Sequence, residues 1–140
     1  LAGLRVGYCI SGADIADVLN RARQPFNVNS IGMSAAAAAL TDAEHIKLSV
    51  NLNKSGLKRL TNSFARLGLP FIPSVGNFVS FDVGPNAALV NENLLRQGVI
   101  VRPIQEYGMK QHLRVTVGLE QENERFILAL EKALSDVYSS

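Results

Sequence analysis

Residues 78–83 read Phe-Val-Ser-Phe-Asp-Val, and this alternation decides the fold class. Val79, Phe81 and Val83 would lie on one side of a β-strand, with the intervening residues on the other side. A strand with this pattern has one face in a core and one face outside it. The run follows Gly68, where an upstream helical period ends, so it marks a change from helices to a mixed architecture.

The segments after this strand complete an α+β pattern. Residues 85–98 predict a helix that begins near a proline and ends at a glycine. Residues 99–104 and 113–118 predict two more strands, and the acidic residues from Glu120 onward favour the start of a final helix. Because such elements bury their apolar faces by packing helices on a small sheet, we predict an α/β protein whose residues 69–140 form an α+β small domain.

The residues before the alternating run predict helices and one short strand. Residues 6–10 are apolar and β-prone, so we expect a short buried strand there. Helical spacing covers residues 14–23 and 31–40. No internal repeat or low-complexity linker interrupts this part of the chain.

A long helix is predicted next. Residues 41–44 match a capping box, with Thr41 as the capping residue and Glu44 as its partner. An apolar stripe then recurs at helical spacing from Ile46 to Leu67, which predicts one buried face. The change of period near residues 68–73 separates this mostly helical part, residues 1–68, from the α+β part that follows.

Composition indicates a folded chain without affinity for nucleic acid. Hydrophobic residues make up 47% of the 140 residues and charged residues 19%, a balance that excludes disorder. The net charge is +2 and the basic residues are scattered, so neither nucleic acid nor an acidic membrane surface is expected as a partner. No apolar run approaches the roughly 20 residues of a membrane span, so we expect a soluble protein.

Neither metal chemistry nor covalent chemistry is indicated by the side chains. Cys9 is the sole cysteine and borders an apolar segment, which predicts a small buried hydrophobe and a reducing, cytoplasmic setting. His45 and His112 lie far apart without a carboxylate cluster, so no metal site is expected. None of the lysines lies in an apolar segment of the kind that prepares a lysine for covalent catalysis.

Three arginines stand out by position. Arg5 precedes the first predicted strand, and Arg102 and Arg114 each interrupt an apolar strand. Because a buried guanidinium is costly without an anion, each of them reaches solvent, forms an internal ion pair or binds an external anion. An edge position or an internal ion pair is the simpler interpretation, although bidentate binding of a carboxylate or phosphate requires such a planar fork of donors.

A series of motifs, taken in chain order, resembles the C-terminal part of the histidinol-phosphate aminotransferases, a branch of the class I/II, fold type I aminotransferases. The resemblance runs from Leu1 to about Leu134, nearly the whole chain. The motifs are Leu1-Ala2-Gly3-Leu4-Arg5-Val6-Gly7-Tyr8, Arg23-Gln24-Pro25-Phe26-Asn27-Val28-Asn29, Gly76-Asn77-Phe78-Val79, Gly98-Val99-Ile100-Val101-Arg102-Pro103, Tyr107-Gly108-Met109, His112-Leu113-Arg114-Val115-Thr116-Val117-Gly118 and Glu122-Asn123-Glu124-Arg125-Phe126.

The resemblance implies pyridoxal 5'-phosphate as cofactor, an amino-acid-like substrate and a homodimer. It also implies that residues 1–68 are the end of the large cofactor-binding domain plus a long connecting helix, and that residues 69–140 are the C-terminal small domain. Arg5 matches the arginine that binds the cofactor phosphate, Arg114 the one that binds the substrate α-carboxylate, and Arg102 the one associated with the substrate phosphate. In that family a Ser-Lys pair precedes the first motif, and its lysine forms the Schiff base with the cofactor. That lysine is absent and would lie just before Leu1, so we expect no catalytic residue in this chain and no activity from the chain alone.

Two alternatives stay open. One is another member of the superfamily: an aromatic or other class I/II aminotransferase, or an enzyme like threonine-phosphate decarboxylase. The other is a stand-alone, non-catalytic domain that binds a small anion or another protein. An incomplete enzyme would also leave the stripe from Ile46 to Leu67 and the strand near Val6 uncovered, which predicts self-association.

Overall fold

The computed structural model describes residues 1–138 and divides into two compact units. Leu1–Lys47 forms the first unit, and the second begins at Leu48. The second unit thus includes most of the long helix that the sequence placed in the first region, because apolar side chains of that helix lie in the core of the second unit. The assignment of residues 1–68 to a larger domain stays a prediction.

The first unit consists of helices and a 3-10 turn. The turn spans Ala2–Leu4, α1 spans Ala13–Ala22 and α2 spans Ser30–Thr41, so both predicted helices are confirmed. The predicted strand at residues 6–10 is wrong: no described strand pairs with it, and a strand needs a neighbour for its backbone hydrogen bonds. Of the residues in this unit whose burial is described, only Gly32 is buried.

The long helix α3 spans Ala43–Arg66 and is capped one residue later than predicted. Thr41 ends α2, and its hydroxyl donates to a carbonyl of that helix. The Asp42 carboxylate instead accepts the backbone N–H of His45 at 3.0 Å. An aspartate at this position satisfies a helical amide and places negative charge at the positive end of the helix, so Asp42 replaces the predicted Thr41 and Glu44.

The second unit is a four-stranded antiparallel sheet packed against helices, in the order β1-β2-β4-β3. Besides α3, its elements are β1 (Phe71–Ile72), β2 (Phe78–Asp82), α4 (Ala87–Arg96), β3 (Arg102–Pro103), β4 (His112–Thr116) and α5 (Glu120–Tyr138). The predicted α/β class, with a small sheet covered by helices and a long connecting helix, is confirmed.

Two strands are shorter than the alternation predicts. β3 is Arg102–Pro103 rather than residues 99–104, because the amide of Val99 donates to the carbonyl of Leu94 at 2.9 Å and closes the end of α4. The proline also has no N–H with which to extend the ladder. β4 ends at Thr116 rather than at residue 118, because the next two amides bond outside the sheet.

The core lies between one face of the sheet and helices α3, α4 and α5. Phe64 of α3 stacks on Phe81 of β2 with ring centroids 4.5 Å apart, and Phe126 of α5 meets both rings edge-on. The predicted apolar stripe of α3 is buried only in its second half: Leu60 and Phe64 are fully buried, whereas Ile46 is half exposed. The sheet thus has one covered face and one face that the core does not use.

Candidate functional site

The face of the sheet turned away from the core, which we call the polar face, carries nearly all of its charged and polar side chains. These alternate along β2 and β4 with buried core residues such as Val79 and Val115, as the sequence pattern predicts. The members of the polar face are Phe78, Ser80 and Asp82 on β2, His112, Arg114 and Thr116 on β4, Arg102 on β3 and the apolar Ile72 on β1.

Arg102 and Arg114 are direct cross-strand partners on β3 and β4. Residues in this register project on the same side of an antiparallel sheet, with Cβ atoms about 5 Å apart. Like charges placed directly opposite each other destabilise a sheet, and an anion bound between them removes that repulsion. The structure therefore brings two of the three arginines chosen from the sequence together, in an arrangement suited to an anion.

Arg114 forms no ion pair and no side-chain hydrogen bond with the residues described. Its Nε is buried and has no hydrogen-bond partner among them. The other arginines of the second unit all have polar partners: Arg59, Arg66, Arg96 and Arg102 pair with glutamates, and Arg125 donates to the Gln97 carbonyl. An unsatisfied buried N–H lowers stability. Arg114 therefore does not stabilise the fold through ion pairs or hydrogen bonds, unlike the other arginines of the second unit.

Phe78 lies beneath Arg114. The guanidinium carbon of Arg114 is 4.7 Å from the centroid of the Phe78 ring, within the range of a cation–π contact. Ser80 is the residue of β2 that lies directly opposite Arg114, on the side away from Arg102. The guanidinium is therefore held against an aromatic ring, with small or polar groups beside it.

Arg102 is tied to its own end of the sheet by an ion pair. Its Nη2 lies 3.4 Å from Oε1 of Glu106, and both side chains are about half exposed, at 55% and 50%. Glu106 belongs to a 3-10 turn, Gln105–Tyr107, that ends at Gly108 in the left-handed conformation. An exposed pair of this kind contributes little to stability, so an incoming anion can compete with Glu106 for Arg102.

Arg5 lies in the first unit, at the end of the 3-10 turn. Its φ of 54° falls in the left-handed region, which is uncommon for an arginine. Asn29 holds the turn: its Nδ2 donates to the Leu4 carbonyl at 3.2 Å, and its Oδ1 accepts the N–H of Gly32 at 2.7 Å and caps α2. Arg5 is thus an exposed residue on a turn whose position the Asn29 hydrogen bonds fix.

The described residues offer no further chemistry. All lysines are exposed, so none occupies the desolvated setting of a covalent lysine. No group of three or more His, Cys, Asp or Glu in the described part of the chain could hold a metal ion. Cys9 is exposed, which corrects the predicted burial: the strand that would have buried it does not form. Within residues 1–138, no helix has the length and apolar character needed to cross a membrane.

The sequence identifies residues of the polar face, but it does not show which residues of neighbouring strands lie next to each other. The alternation already places Phe78 and Ser80 on the non-core side of β2. That Phe78 lies beneath Arg114, and that Arg102 faces Arg114, depends on strand order and register, which the alternation does not contain.

The chain belongs to the family described as aminotransferase class I and II, whose model matches residues 1–130. More narrowly, the chain is 54% identical over 136 residues to histidinol-phosphate aminotransferase 1 of Nitrosococcus oceani. This alignment covers 97% of the chain and 37% of the relative, so the chain spans little more than a third of the relative's length. The resemblance seen in the motifs is confirmed.

Solved structures agree with this assignment. The chain superposes on histidinol-phosphate aminotransferase from Sinorhizobium meliloti in complex with pyridoxal-5'-phosphate with a TM-score of 0.86 and 27% identity, over 98% of this chain and 38% of that one. It shares the fold of L-threonine-O-3-phosphate decarboxylase from Porphyromonas gingivalis with a TM-score of 0.80 and 23% identity, over 95% of this chain and 42% of that one.

Proposed function

We propose that this chain supplies the substrate-anion site and the cofactor-phosphate arginine of a pyridoxal-phosphate-dependent aminotransferase that acts on histidinol phosphate and 2-oxoglutarate. The observation that carries the proposal is Arg114, the arginine of the second unit without an acidic or hydrogen-bonding partner among the residues described. A guanidinium set beside a second arginine, with no carboxylate of its own, is organised for an external carboxylate or phosphate.

Both proposed substrates are anions that such a pair can bind. Histidinol phosphate presents a phosphate, and 2-oxoglutarate presents two carboxylates. Arg114 would bind the carboxylate next to the reacting carbon, and Arg102 would contribute to binding the phosphate once Glu106 is displaced. The role of the two arginines is orientation, since holding a reactant in one geometry lowers the entropic part of the barrier.

Of the groups of the cofactor, the described residues fit only its phosphate. Arg5 would bind the cofactor phosphate, with the Asn29 hydrogen bond to the Leu4 carbonyl keeping its turn in place. Pyridoxal 5'-phosphate, when bound, supplies the electron sink for loss of the substrate Cα proton. The lysine that moves this proton would come from outside these 140 residues, because every lysine within them is exposed.

We further propose a homodimeric enzyme in the cytoplasm. Homodimers are what the family resemblance implies, and the absence of any cysteine other than Cys9 fits a reducing compartment. A mass measurement on the full-length aminotransferase that contains this sequence tests the first point, and cell fractionation tests the second.

The substrate proposal is tested in that full-length aminotransferase. Histidinol phosphate and phenylalanine are compared as amino donors, each with 2-oxoglutarate. We expect a clear preference for histidinol phosphate. Arg114→Gln should raise the KM for 2-oxoglutarate by about 10- to 100-fold. Arg96→Gln, which changes an exposed arginine on α4, should leave that KM unchanged. Equal turnover of both donors would favour another aminotransferase, and release of carbon dioxide from an amino-acid phosphate would favour a decarboxylase.

The placement of the catalytic lysine is tested by a second measurement, made on the 140-residue chain. The chain is incubated with pyridoxal 5'-phosphate and borohydride, and its lysines are mapped by mass spectrometry. We expect no site-specific reduction and no transamination. Reduction confined to one of Lys47, Lys54, Lys58, Lys110 or Lys132 would contradict the placement of the catalytic lysine outside this chain.

A further inference from the structure

We propose that Phe78 is a positioning residue that holds the Arg114 guanidinium for substrate binding, an inference that rests on the proposed function. The ring lies under the guanidinium at 4.7 Å, and among the described residues it is the contact that Arg114 makes in place of an ion pair. A ring on one face of a guanidinium limits its rotation while leaving the N–H edge available to a ligand.

Phe78 is itself fixed by the turn that precedes it. The Asn77 carbonyl accepts the amide of Val117 at 2.8 Å, just beyond the end of β4. From α3, Asn53 donates through Nδ2 to the Gly76 carbonyl at 2.9 Å. The turn is thus bonded to β4 on one side and to a helix on the other, which sets the position of the first residue of β2.

The end of β4 is held just as firmly. Asn123 is buried, with 3% of its surface exposed. Its Oδ1 accepts the amide of Gly118 and its Nδ2 donates to the Gly118 carbonyl, both at 2.9 Å. The Val117 amide bonds to the Asn77 carbonyl, and Gly118 bonds to Asn123. The end of β4, which carries Arg114, and the turn just before Phe78 are therefore fixed relative to each other.

This arrangement assigns different tasks to the two strands of the pair. β4 supplies the charge through Arg114, and β2 supplies the surface against which that charge is ordered. An arginine loses considerable side-chain freedom when it binds an anion, so an arginine ordered beforehand binds the same anion more tightly. Removing the ring should therefore weaken substrate binding and leave the chemical step unaffected.

The test uses three variants of the full-length aminotransferase that contains this sequence: Phe78→Leu, Phe78→Tyr and Phe78→Trp. We expect Phe78→Leu to raise the KM for 2-oxoglutarate by about 3- to 10-fold with kcat within twofold of the parent, because a cation–π contact at a partly exposed site is of that magnitude. Tyr and Trp keep a ring and should restore the parent KM. Leu128→Ala, an exposed apolar truncation on α5, should change neither constant.

A readout independent of activity comes from the 140-residue chain. The NMR signal of the Arg114 Nε–H group, assigned with Arg114→Lys, reports the ring beneath it. We expect Phe78→Leu to move this signal and Phe78→Tyr to leave it nearly in place, with equal melting temperatures for both variants. Parent-like KM and an unmoved signal in Phe78→Leu would overturn the inference, as would a KM for Phe78→Tyr equal to that of Phe78→Leu.

The two proposals fail in different ways. If Arg114→Gln leaves the KM for 2-oxoglutarate unchanged, the proposed function fails. If Arg114→Gln raises KM while Phe78→Leu and Phe78→Tyr both behave like the parent, the proposed function stands and the positioning role of Phe78 is wrong.

Discussion

Gly56 of α3 lies against Val117 so closely that a Cβ atom at residue 56 would overlap Val117 Cγ1 and stand 3.1 Å from Asn123 Nδ2. Real Cβ contacts are essentially never under 3.0 Å, and valine has little freedom to rotate its branched side chain away. A glycine at this position is what allows the helix to approach the end of β4.

Gly56→Ala should destabilise the second unit. Alanine gains about 1 kcal/mol of helix propensity over glycine, while overpacking a close contact costs about 1–3 kcal/mol, so the net effect is a loss. Urea unfolding followed by circular dichroism measures it, with Ser55→Ala on the exposed side of the same helix as control. A variant as stable as the parent would show that α3 moves away from Val117 without cost.

Asn123→Ala should cost about 2–3 kcal/mol of unfolding free energy, because it removes both hydrogen bonds to Gly118. Asn123→Asp keeps the acceptor for the Gly118 amide but sets a carboxylate oxygen against the Gly118 carbonyl, so it should be destabilised as well. Urea midpoints of the two variants provide the measurement. Parent-like stability of the aspartate variant would mean that the carbonyl contact contributes nothing.

Glu106→Gln should strengthen anion binding by releasing Arg102 from its ion pair. Exposed pairs are worth up to about 1 kcal/mol, so the gain should be no more than about fivefold in the KM for histidinol phosphate. Glu92→Gln, which breaks the equally spaced Glu92–Arg96 pair on α4, is the matched control and should leave KM unchanged. A rise in KM for Glu106→Gln would show that Glu106 assists binding.

The 140-residue chain should self-associate at high concentration. Helix α1 exposes Ile15 at 59%, Val18 at 53% and Leu19 at 47% of their surfaces, and contiguous apolar surface of this kind drives association. Analytical ultracentrifugation over a concentration series should show a rising mass, reduced by Ile15→Glu together with Leu19→Glu. A constant monomeric mass across the series would refute the expectation.

Local patterns predicted the helices and the β2 strand because each depends on residues close in sequence. The spacing that placed α1, α2 and α5 and the alternation around Phe81 correspond to the elements observed. Residues 6–10 illustrate the limit of such patterns: they have the composition of a strand but no described partner, and pairing is a property of the fold rather than of the segment.

The sequence predicts which arginines belong to the candidate site, but it does not predict how they are arranged. Arg102 and Arg114 interrupt apolar strands, which is visible in a single sequence. Their cross-strand placement, the ring of Phe78 and the pairing of Arg102 with Glu106 arise from strand register and turn length. The role of Arg5 came from family resemblance, since an arginine after a glycine has no distinctive local pattern.

The two arginines of the polar face differ in how firmly their strands are held. Arg114 sits on β4, which has neighbours on both sides, whereas Arg102 sits on β3, an edge strand paired through two residues. Strands with few ladder hydrogen bonds open locally at much lower free energy than central ones. In a hydrogen-exchange experiment the amide of Arg102, which is the one N–H of β3 because Pro103 has none, should therefore exchange well before the amides of β4. The Arg114 side of the proposed anion site would then be permanent, whereas the Arg102 side would become ordered when an anion binds.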